Sequence, residues 1–301
     1  MGSGTPASPS YLTRCEMIHK IGAMDIPTRS RQWLGPAGAL VAAACLLSSN
    51  PVTARQPATE SAEWVARQID ARDTGRDSRL VMTMRLADRQ GRTRDRSLVI
   101  TTLRAEAARG DRVLVRFLAP ADIRGTGFLV WEHATREDER FLFLPALGRV
   151  RRIAGAETQD SFVGSDLSYE DIGGRKVADY SYRMLDANTS WTDASGEAFP
   201  AWRLESTAKD AAAKYPVVRS VVRKDAFVVV AAEVLNRRGE TEKRYAVTKL
   251  DRPSGIWTVT EATMANDVTK TRTTMLVTEA RYGVGLTEDA FSRRALEQGV
   301  P

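Results

Sequence analysis

Cysteine and histidine are scarce in this sequence, which contains two of each among its 301 residues. Both cysteines, Cys15 and Cys45, precede Ala54, the residue after which we predict that a signal peptide is removed. A chain that begins after Ala54 has no cysteine, which excludes a disulfide framework, a thiol nucleophile and a cysteine metal site in the mature protein. It retains one histidine, His133.

Motifs for catalysis are also missing. No G-x-S-x-G elbow, H-E-x-x-H pair, phosphate-binding loop or dinucleotide-binding glycine pattern occurs. His133 has no nucleophile motif around it, so we predict that it is a surface residue at a strand end. The acidic residues Asp166, Glu170 and Asp171 lack the spacing of a calcium loop and favour capping of a short helix over cation binding. We therefore predict no catalytic residue, no metal site, no cofactor and no enzymatic activity.

Long runs of like charge are absent as well. The 44 Lys and Arg residues and the 38 Asp and Glu residues are interspersed, and the formal net charge is +6. Nucleic-acid binding requires a clustered basic face, so no nucleic-acid partner is predicted. The mildly positive chain is compatible with approach to anionic lipid headgroups.

The N-terminal region has the layout of a secretory signal peptide. Arg29 and Arg31 precede an apolar run from Leu34 to Leu47, and small residues follow at Val52-Thr53-Ala54. The apolar run is too short to span a bilayer comfortably, and its flanks match an export signal with cleavage after Ala54. We predict that residues 1–54 are a signal peptide and that the mature protein is periplasmic.

Two further features of this region affect that prediction. Met24 is a better start for the signal than Met1, which indicates that the first 23 residues belong to a misassigned start. Cys45 follows three alanines, an arrangement that invites lipid attachment, but Leu46 and Leu47 continue the apolar run. We therefore predict that the protein carries no lipid anchor at Cys45.

Residues 55–301 are predicted to form one mainly β domain. A helix over Thr59–Asp73 is favoured, with Thr59 or Ser61 as its cap and Gly75 at its end. Alternating or apolar runs follow it, and the turns between them have hairpin spacing, which indicates antiparallel neighbours in a meander. The predicted strands are Leu80–Leu86, Leu98–Leu103, Val113–Leu118, Phe128–Trp131, Arg140–Leu144, Arg149–Ile153, Tyr180–Leu185, Ala201–Thr207, Val217–Val222, Phe227–Leu235, Lys243–Leu250, Trp257–Met264 and Thr271–Tyr282. A short terminal helix is predicted over Thr287–Leu296, and no helical pattern alternates with the strands as a doubly wound α/β fold would require.

The stretch from Arg112 to Ile172 is the most informative part of the chain. Its first strand alternates apolar and polar residues, as a strand with one apolar face does. Phe128–Trp131 and Arg140–Leu144 are apolar at consecutive positions. Such strands are buried on both faces, so we expect a covering segment on each side of them.

Several motifs in and after this stretch occur in a fixed order. They are Pro120-x-x-Ile123-x-Gly125, Phe141-Leu142-Phe143-Leu144-Pro145-x-x-Gly148-Arg149-x-Arg151-Arg152-Ile153, Ser161-Phe162-x-Gly164-Ser165-Asp166-x-Ser168-Tyr169-Glu170-Asp171, Tyr215-Pro216-Val217-Val218, Phe227, Arg244-Tyr245, Trp257, Met264-x-Asn266 and Phe291-Ser292. Their combination resembles the outer-membrane lipoprotein-sorting protein family with a LolA-like domain, over about Leu80–Leu296. The resemblance implies an incompletely closed antiparallel β-barrel, a LolA-like half-barrel, with short helices covering its concave face and an apolar cavity for acyl chains.

A ligand-binding wall can be proposed where the strand pattern and the resemblance agree. The residues expected to line it are Met82, Met84, Phe117, Phe128, Val130, Phe141 and Phe143. Gln159–Ile172 is the expected lid, in which Phe162 and Leu167 insert while Ser161, Asp166 and Ser168 stay in contact with water. The alternative is that these aromatic and aliphatic residues form a closed core.

The predicted function is that of a periplasmic carrier or chaperone. It would shelter the acyl chains of a lipid or an acylated lipoprotein in its cavity, where buried apolar area would hold them. We expect the protein to be a monomer. The chain is longer than the lipoprotein carrier of the family, which leaves the identity of the cargo open. The alternative is an accessory protein that docks on an inner-membrane lipid-exporting transporter and holds no cargo of its own.

Overall fold

The computed structural model describes residues 60–104, 110–133 and 136–299. The predicted signal peptide, Cys45 and the possible cap Thr59 lie outside these residues. Three α-helices occur in the described residues: α1 (Ala62–Ala71), α2 (Tyr169–Gly173) and α3 (Arg293–Gln298). The strands are β1 (Asp77–Ala87), β2 (Thr93–Leu103), β3 (Arg112–Ala119), β4 (Gly127–Trp131), β5 (Glu139–Leu144), β6 (Arg149–Ile153), β7 (Tyr180–Thr192), β8 (Ala198–Ala208), β9 (Val217–Arg223), β10 (Val228–Leu235), β11 (Thr241–Asp251), β12 (Thr258–Asn266) and β13 (Thr271–Tyr282).

All of these strands belong to one antiparallel sheet, in the order β6-β5-β4-β3-β2-β1-β13-β12-β11-β10-β9-β8-β7. Two meanders therefore meet where the first strand pairs with the last, from Ser78 opposite Tyr282 to Ala87 opposite Arg272. The edge strands β6 and β7 do not pair with each other, so the sheet is not closed into a barrel. The predicted mainly β, incompletely closed antiparallel architecture is confirmed.

One face of the sheet can be followed from strand to strand because directly paired residues point to the same side. The series that defines this inner face is Leu142, Phe128, Val115, Ile100, Leu80, Met82, Met84, Leu86, Thr273, Met264, Tyr245, Ala232, Ser220, Leu204 and Met184. The opposite side, which carries Leu129 and Phe141, is called the outer face. Apolar residues of β2 to β5 are buried on both sides.

Two segments cover the inner face. Helix α1 packs Ala62 and Val65 against Trp202, Leu204 and Val222 of the β8–β9 region. The second cover is the segment of residues 155–173, called the lid segment, which contains two short 3-10 helices and α2. The short inner-face helices that were predicted are therefore present.

A third segment, residues 286–298, covers the outer face of β3, β4 and β5. Phe291 and Leu296 join a cluster with Leu129 and Phe141. The Trp131 Nε1–H group donates a hydrogen bond of 2.7 Å to the Phe291 carbonyl oxygen. A β-carbon at Gly127 would lie only 2.6 Å from Leu296 Cδ1, so glycine permits this close approach.

The local patterns explain most element boundaries. The Ser61 side chain accepts a hydrogen bond from the Trp64 N–H group and caps α1, which is shorter than the predicted Thr59–Asp73 helix. The predicted terminal helix is divided into a 3-10 turn, Glu288–Phe291, and α3, because Ser292 caps a new helix. Among the described helices, none combines the length and the apolar character that a membrane crossing requires.

Candidate ligand-binding site

The lid segment inserts an aromatic side chain into the inner face. Phe162 is fully buried and its ring lies 5.8 Å from Phe117 and 5.5 Å from Phe128. Tyr169 of α2 completes the group at 5.2 Å from Phe128. Leu167 enters the same apolar cluster. Phe162 and Leu167 therefore occupy the inner face in the positions that the sequence predicted for a lid.

Polar contacts hold the lid segment to the sheet at its central turn. The Arg96 guanidinium donates to the Val163 carbonyl oxygen. The Asp166 carboxylate accepts hydrogen bonds from Thr271 and, at 2.8 Å, from Thr273, while its N–H group donates to Thr273 Oγ1 at 2.9 Å. These contacts join the lid segment to β2 on one side and to β13 on the other.

The turn between these contacts has an unfavourable backbone conformation. Val163 has a φ angle of +50°, followed by Gly164 at +76°. A β-branched residue pays about 1–3 kcal/mol for positive φ because its side chain crowds the backbone. Side-chain insertion and polar contacts with the sheet therefore maintain a strained turn in the lid segment.

The structure separates the predicted wall residues into two groups. Met82, Met84, Phe117, Phe128 and Val130 lie with Phe162 in the inner-face cluster. Phe141 and Phe143 are on the outer face, because Phe141 pairs with Leu129 and Phe143 with Gly127.

Phe141 packs in the outer cluster with Phe291 and Leu296. The residue of β5 that shares the inner face with Phe128 is Leu142. Phe141 and Phe143 thus do not face the space that Phe162 fills, and ligand contact by all the wall residues stays a prediction.

Two polar residues of the lid segment differ from the sequence prediction. Asp166 and Ser168 were expected to stay in contact with water, but both are buried. Asp166 bonds to the threonines of β13, and Ser168 forms a reciprocal capping box with Asp171 at the start of α2. The helix-capping role predicted for this acidic group is correct for Asp171.

His133 is also less exposed than predicted. Its side chain is 16% exposed, and Nε2 lies 3.0 Å from the Glu139 carboxylate. His133 follows β4, as the strand-end prediction requires, but its side chain is partly buried against Glu139 at the start of β5.

Comparisons with known proteins agree with this architecture. A family model described as "Uncharacterized protein" matches residues 109–298, more than half of the chain. An outer membrane lipoprotein-sorting protein domain from Vibrio parahaemolyticus superposes with a TM-score of 0.72 at 27% identity, over 79% of this chain and 98% of that chain. The chain belongs to the LolA-like family of outer-membrane lipoprotein-sorting proteins.

Two further solved structures share the LolA-like fold. A DUF1329 family protein from Desulfovibrio piger has a TM-score of 0.70 and 28% identity, over 78% of this chain and 97% of that chain. A LolA superfamily protein from Nitrosomonas europaea has a TM-score of 0.59 and 18% identity, over 78% of this chain and 98% of that chain, and this likeness concerns the fold alone. No curated protein matches the chain significantly.

One acidic residue of the LolA-like sheet lies between the two inner-face covers. Burial, together with the negative charges of Asp111, Asp138 and Asp70, raises the pKa of Glu132 from 4.5 to about 7. Asp70 belongs to α1, and a β-carbon at Gly174, directly after α2, would lie 3.3 Å from Glu132 Oε1. The pKa of the Glu132 carboxyl therefore depends on how α1 and the end of the lid segment lie around it. No pattern in the sequence indicated this buried carboxyl.

Proposed function

We propose that this protein is a periplasmic carrier that shelters the acyl chains of a lipid or an acylated lipoprotein on the inner face of its sheet, and that it performs no chemistry of its own. The observation that supports this most directly is the insertion of Phe162 into a wide apolar face by a segment whose turn is strained at Val163. An acyl chain gains roughly 25 cal/mol for each Å² of apolar surface removed from water, which such a face can supply.

The ligand would replace the lid side chains. Phe162 and Leu167 fill the inner face in the closed state, so an acyl chain enters only when they leave. Their departure exposes Phe117, Phe128 and Met84, which the chain then covers. Methionines at positions 82, 84, 264 and 275 offer flexible side chains that adapt to chains of different shape.

The outer cover supports the same proposal. The strands beneath the lid segment are also packed against residues 286–298 on the outer face. When the lid segment leaves, these strands still have one buried side, and the sheet keeps its shape. Membership of the lipoprotein-sorting family is consistent with a carrier function, and export to the periplasm is part of this proposal.

The test compares two fully buried phenylalanines: Phe162 of the lid segment on the inner face and Phe291 of residues 286–298 on the outer face. Phe162→Ala removes the side chain that competes with a ligand, so a fluorescent fatty-acyl probe should bind more tightly, by about tenfold for a gain near 1.4 kcal/mol. Phe291→Ala is the matched control, because Phe291 is equally buried but covers the outer face. It should lower the melting temperature and leave probe affinity unchanged.

Organic extraction of the purified exported protein completes the test. The carrier proposal expects about one equivalent of lipid to be released, and expects Phe162→Ala alone to change probe affinity. An extract without lipid, together with no probe binding by any folded variant, would reject the carrier and favour an accessory protein that docks on a transporter without cargo.

A further inference from the structure

A polar pocket of about 330 Å³ opens beside the lid segment. Ser161, Gly164 and Asp166 form one wall, and Lys243 of β11 forms part of the other. Leu86 lines the pocket and also belongs to the inner-face apolar cluster. The pocket thus adjoins the face on which the proposed acyl chain would lie.

The acidic side chains of this pocket already have partners. Each of its three carboxylates accepts a hydrogen bond from the chain. The pairs are Asp88 with Arg92 at 2.7 Å, Asp166 with Thr273 at 2.8 Å, and Glu242 with Tyr215 at 2.9 Å. These hydrogen bonds hold the three carboxylates in the walls of the pocket.

The basic side chains are different. Within the described residues, Lys243, Lys214 and Arg94 line the pocket without an ion pair to any carboxylate. Lys243 is only 6% exposed, and its ammonium nitrogen lies 4.9 Å from the centre of the Tyr215 ring. Lys214 approaches the same ring at 5.2 Å.

A buried ammonium without a direct ion pair is costly, and a cation–π contact with one tyrosine offsets only part of that cost. Burial lowers the pKa of Lys243, and the nearby carboxylates of Asp171, Asp166 and Glu242, which favour the charged ammonium, do not reverse the shift. An anion in the pocket would supply the missing partner.

We propose that this pocket binds a phosphate-class anion through Lys243, with Lys214 and Arg94 at its mouth. Three cations in the lining of one pocket suit a group that carries up to two negative charges, and charge-assisted hydrogen bonds to such a group are strong. The volume is at the lower limit of small-molecule sites, which fits a headgroup and not a whole lipid.

The anion has two possible sources, free phosphate or the headgroup of an amphiphile. Because Leu86 connects the pocket with the apolar face, the headgroup is the favoured source, and this assignment rests on the proposed carrier function. The proposal that the pocket binds an anion does not depend on the carrier function. A headgroup held here would contact the lid segment while its chains lie on the inner face.

Binding of three probes to the purified exported protein tests the proposal. The probes are dihexanoyl phosphatidic acid, dihexanoylglycerol with the same chains and no phosphate, and inorganic phosphate. Lys243→Met keeps the side-chain length and removes the charge. It should weaken phosphatidic acid binding by about tenfold or more and leave dihexanoylglycerol binding unchanged.

The control is Lys249→Met, on the same strand, where the lysine is exposed and pairs with Asp251. It should change none of the three affinities. Lys243→Met should melt at or above the temperature of the parent, because it removes an unpaired buried charge, so a loss of binding cannot be attributed to unfolding.

The outcomes distinguish failure of the anion-pocket proposal from failure of the carrier proposal. Tight binding of inorganic phosphate that Lys243→Met abolishes, without binding of either acyl probe, would support the anion pocket with free phosphate and reject the carrier. Equal binding of dihexanoylglycerol and phosphatidic acid, unchanged in Lys243→Met, would support the carrier and overturn the pocket.

Discussion

The two covers of the inner face, α1 and the lid segment, are built in different ways. Helix α1 is regular, is capped by Ser61 and packs Trp64 against Trp202 and Phe227 with ring centroids 6.2 and 5.9 Å apart. The lid segment consists of short turns with Val163 at positive φ. Its inserted Phe162 contacts residues that an apolar ligand can also contact. From this difference we propose that α1 is a fixed part of the fold and that the lid segment is the part that opens.

The strands beneath the lid segment and the strands beneath α1 also differ in how much of their two faces is buried. Strands β3 to β5 have buried residues on both faces. In β7 only the first residue, Tyr180, is buried, and many of the others are exposed. The strands below the lid segment would keep the outer cover in the proposed open state. The strands below α1 have no equivalent cover among the described residues, so loss of α1 is expected to destabilise the fold itself.

The largest expected effect concerns α1. Trp202→Ala removes a ring that is stacked on Phe227 at 5.6 Å and donates a 2.9 Å hydrogen bond to Glu60. We expect a loss of about 3–5 kcal/mol in the free energy of unfolding, measured by urea denaturation, with acyl-probe affinity unchanged in the folded protein. Trp191→Ala, at a half-buried tryptophan outside the α1 cluster, should cost less. Loss of probe binding by folded Trp202→Ala would show that α1 also takes part in the site.

A pH effect is expected at the junction of the two covers. Because the pKa of Glu132 is raised to about 7 when the protein is folded, the folded state retains a proton that the unfolded state loses near pH 4.5. This contribution stabilises the protein at low pH and is lost as pH rises from about 4.5 to 7, with an upper limit of about 3 kcal/mol.

Denaturation of the parent and of Glu132→Gln at pH 5 and pH 8 measures this effect. The substitution should remove part of the stability loss between the two pH values, and Glu297→Gln at an exposed position should not. Equal pH dependence in all three proteins would contradict the assignment to Glu132.

A smaller effect is expected where the lid segment meets β13. Thr273→Val keeps the side-chain shape but leaves Asp166 without two hydrogen-bond contacts. We expect a loss of about 1–3 kcal/mol in lid closure, seen as faster amide exchange in residues 155–173. Thr274→Val is the matched control, since Thr274 is the next residue and bonds to Thr263 at 3.2 Å. Equal effects of the two substitutions on lid exchange would argue against the polar contact as a latch.

The smallest expected effect is at the cap of α1. Ser61→Ala removes the acceptor for the Trp64 N–H group and should cost about 1 kcal/mol, measured as a shift of the urea midpoint. Amide exchange in the lid segment should not change. A change there would show that the two covers are coupled.

Much of the fold follows from sequence patterns, because strand alternation and hairpin turns are local signals. Thr271–Tyr282 and Arg149–Ile153 match their strands fully. The consecutive apolar residues Phe128–Trp131 and Arg140–Leu144 correctly indicated covers on both faces.

The assignment of individual residues to a face needed information that the sequence lacks. In an unbroken apolar run, alternation cannot tell which residues face inward, so Phe141 and Phe143 were grouped with Phe128. The register with β4 decides the matter and places Leu142 opposite Phe128. Burial of Asp166 depends on threonines more than one hundred residues away, and no local pattern contains that contact.

Hydrogen exchange with and without a saturating fatty-acyl ligand tests the central claim most directly. Amides of the lid segment, such as those of Phe162 and Ser165, should exchange through local opening that costs less than global unfolding, whereas Val65 and Ala66 of α1 should exchange only at the global free energy. The ligand should change the exchange of the lid segment first. If lid and α1 amides share one opening free energy, and the ligand affects them equally or not at all, the lid segment is part of a closed core and the account is contradicted.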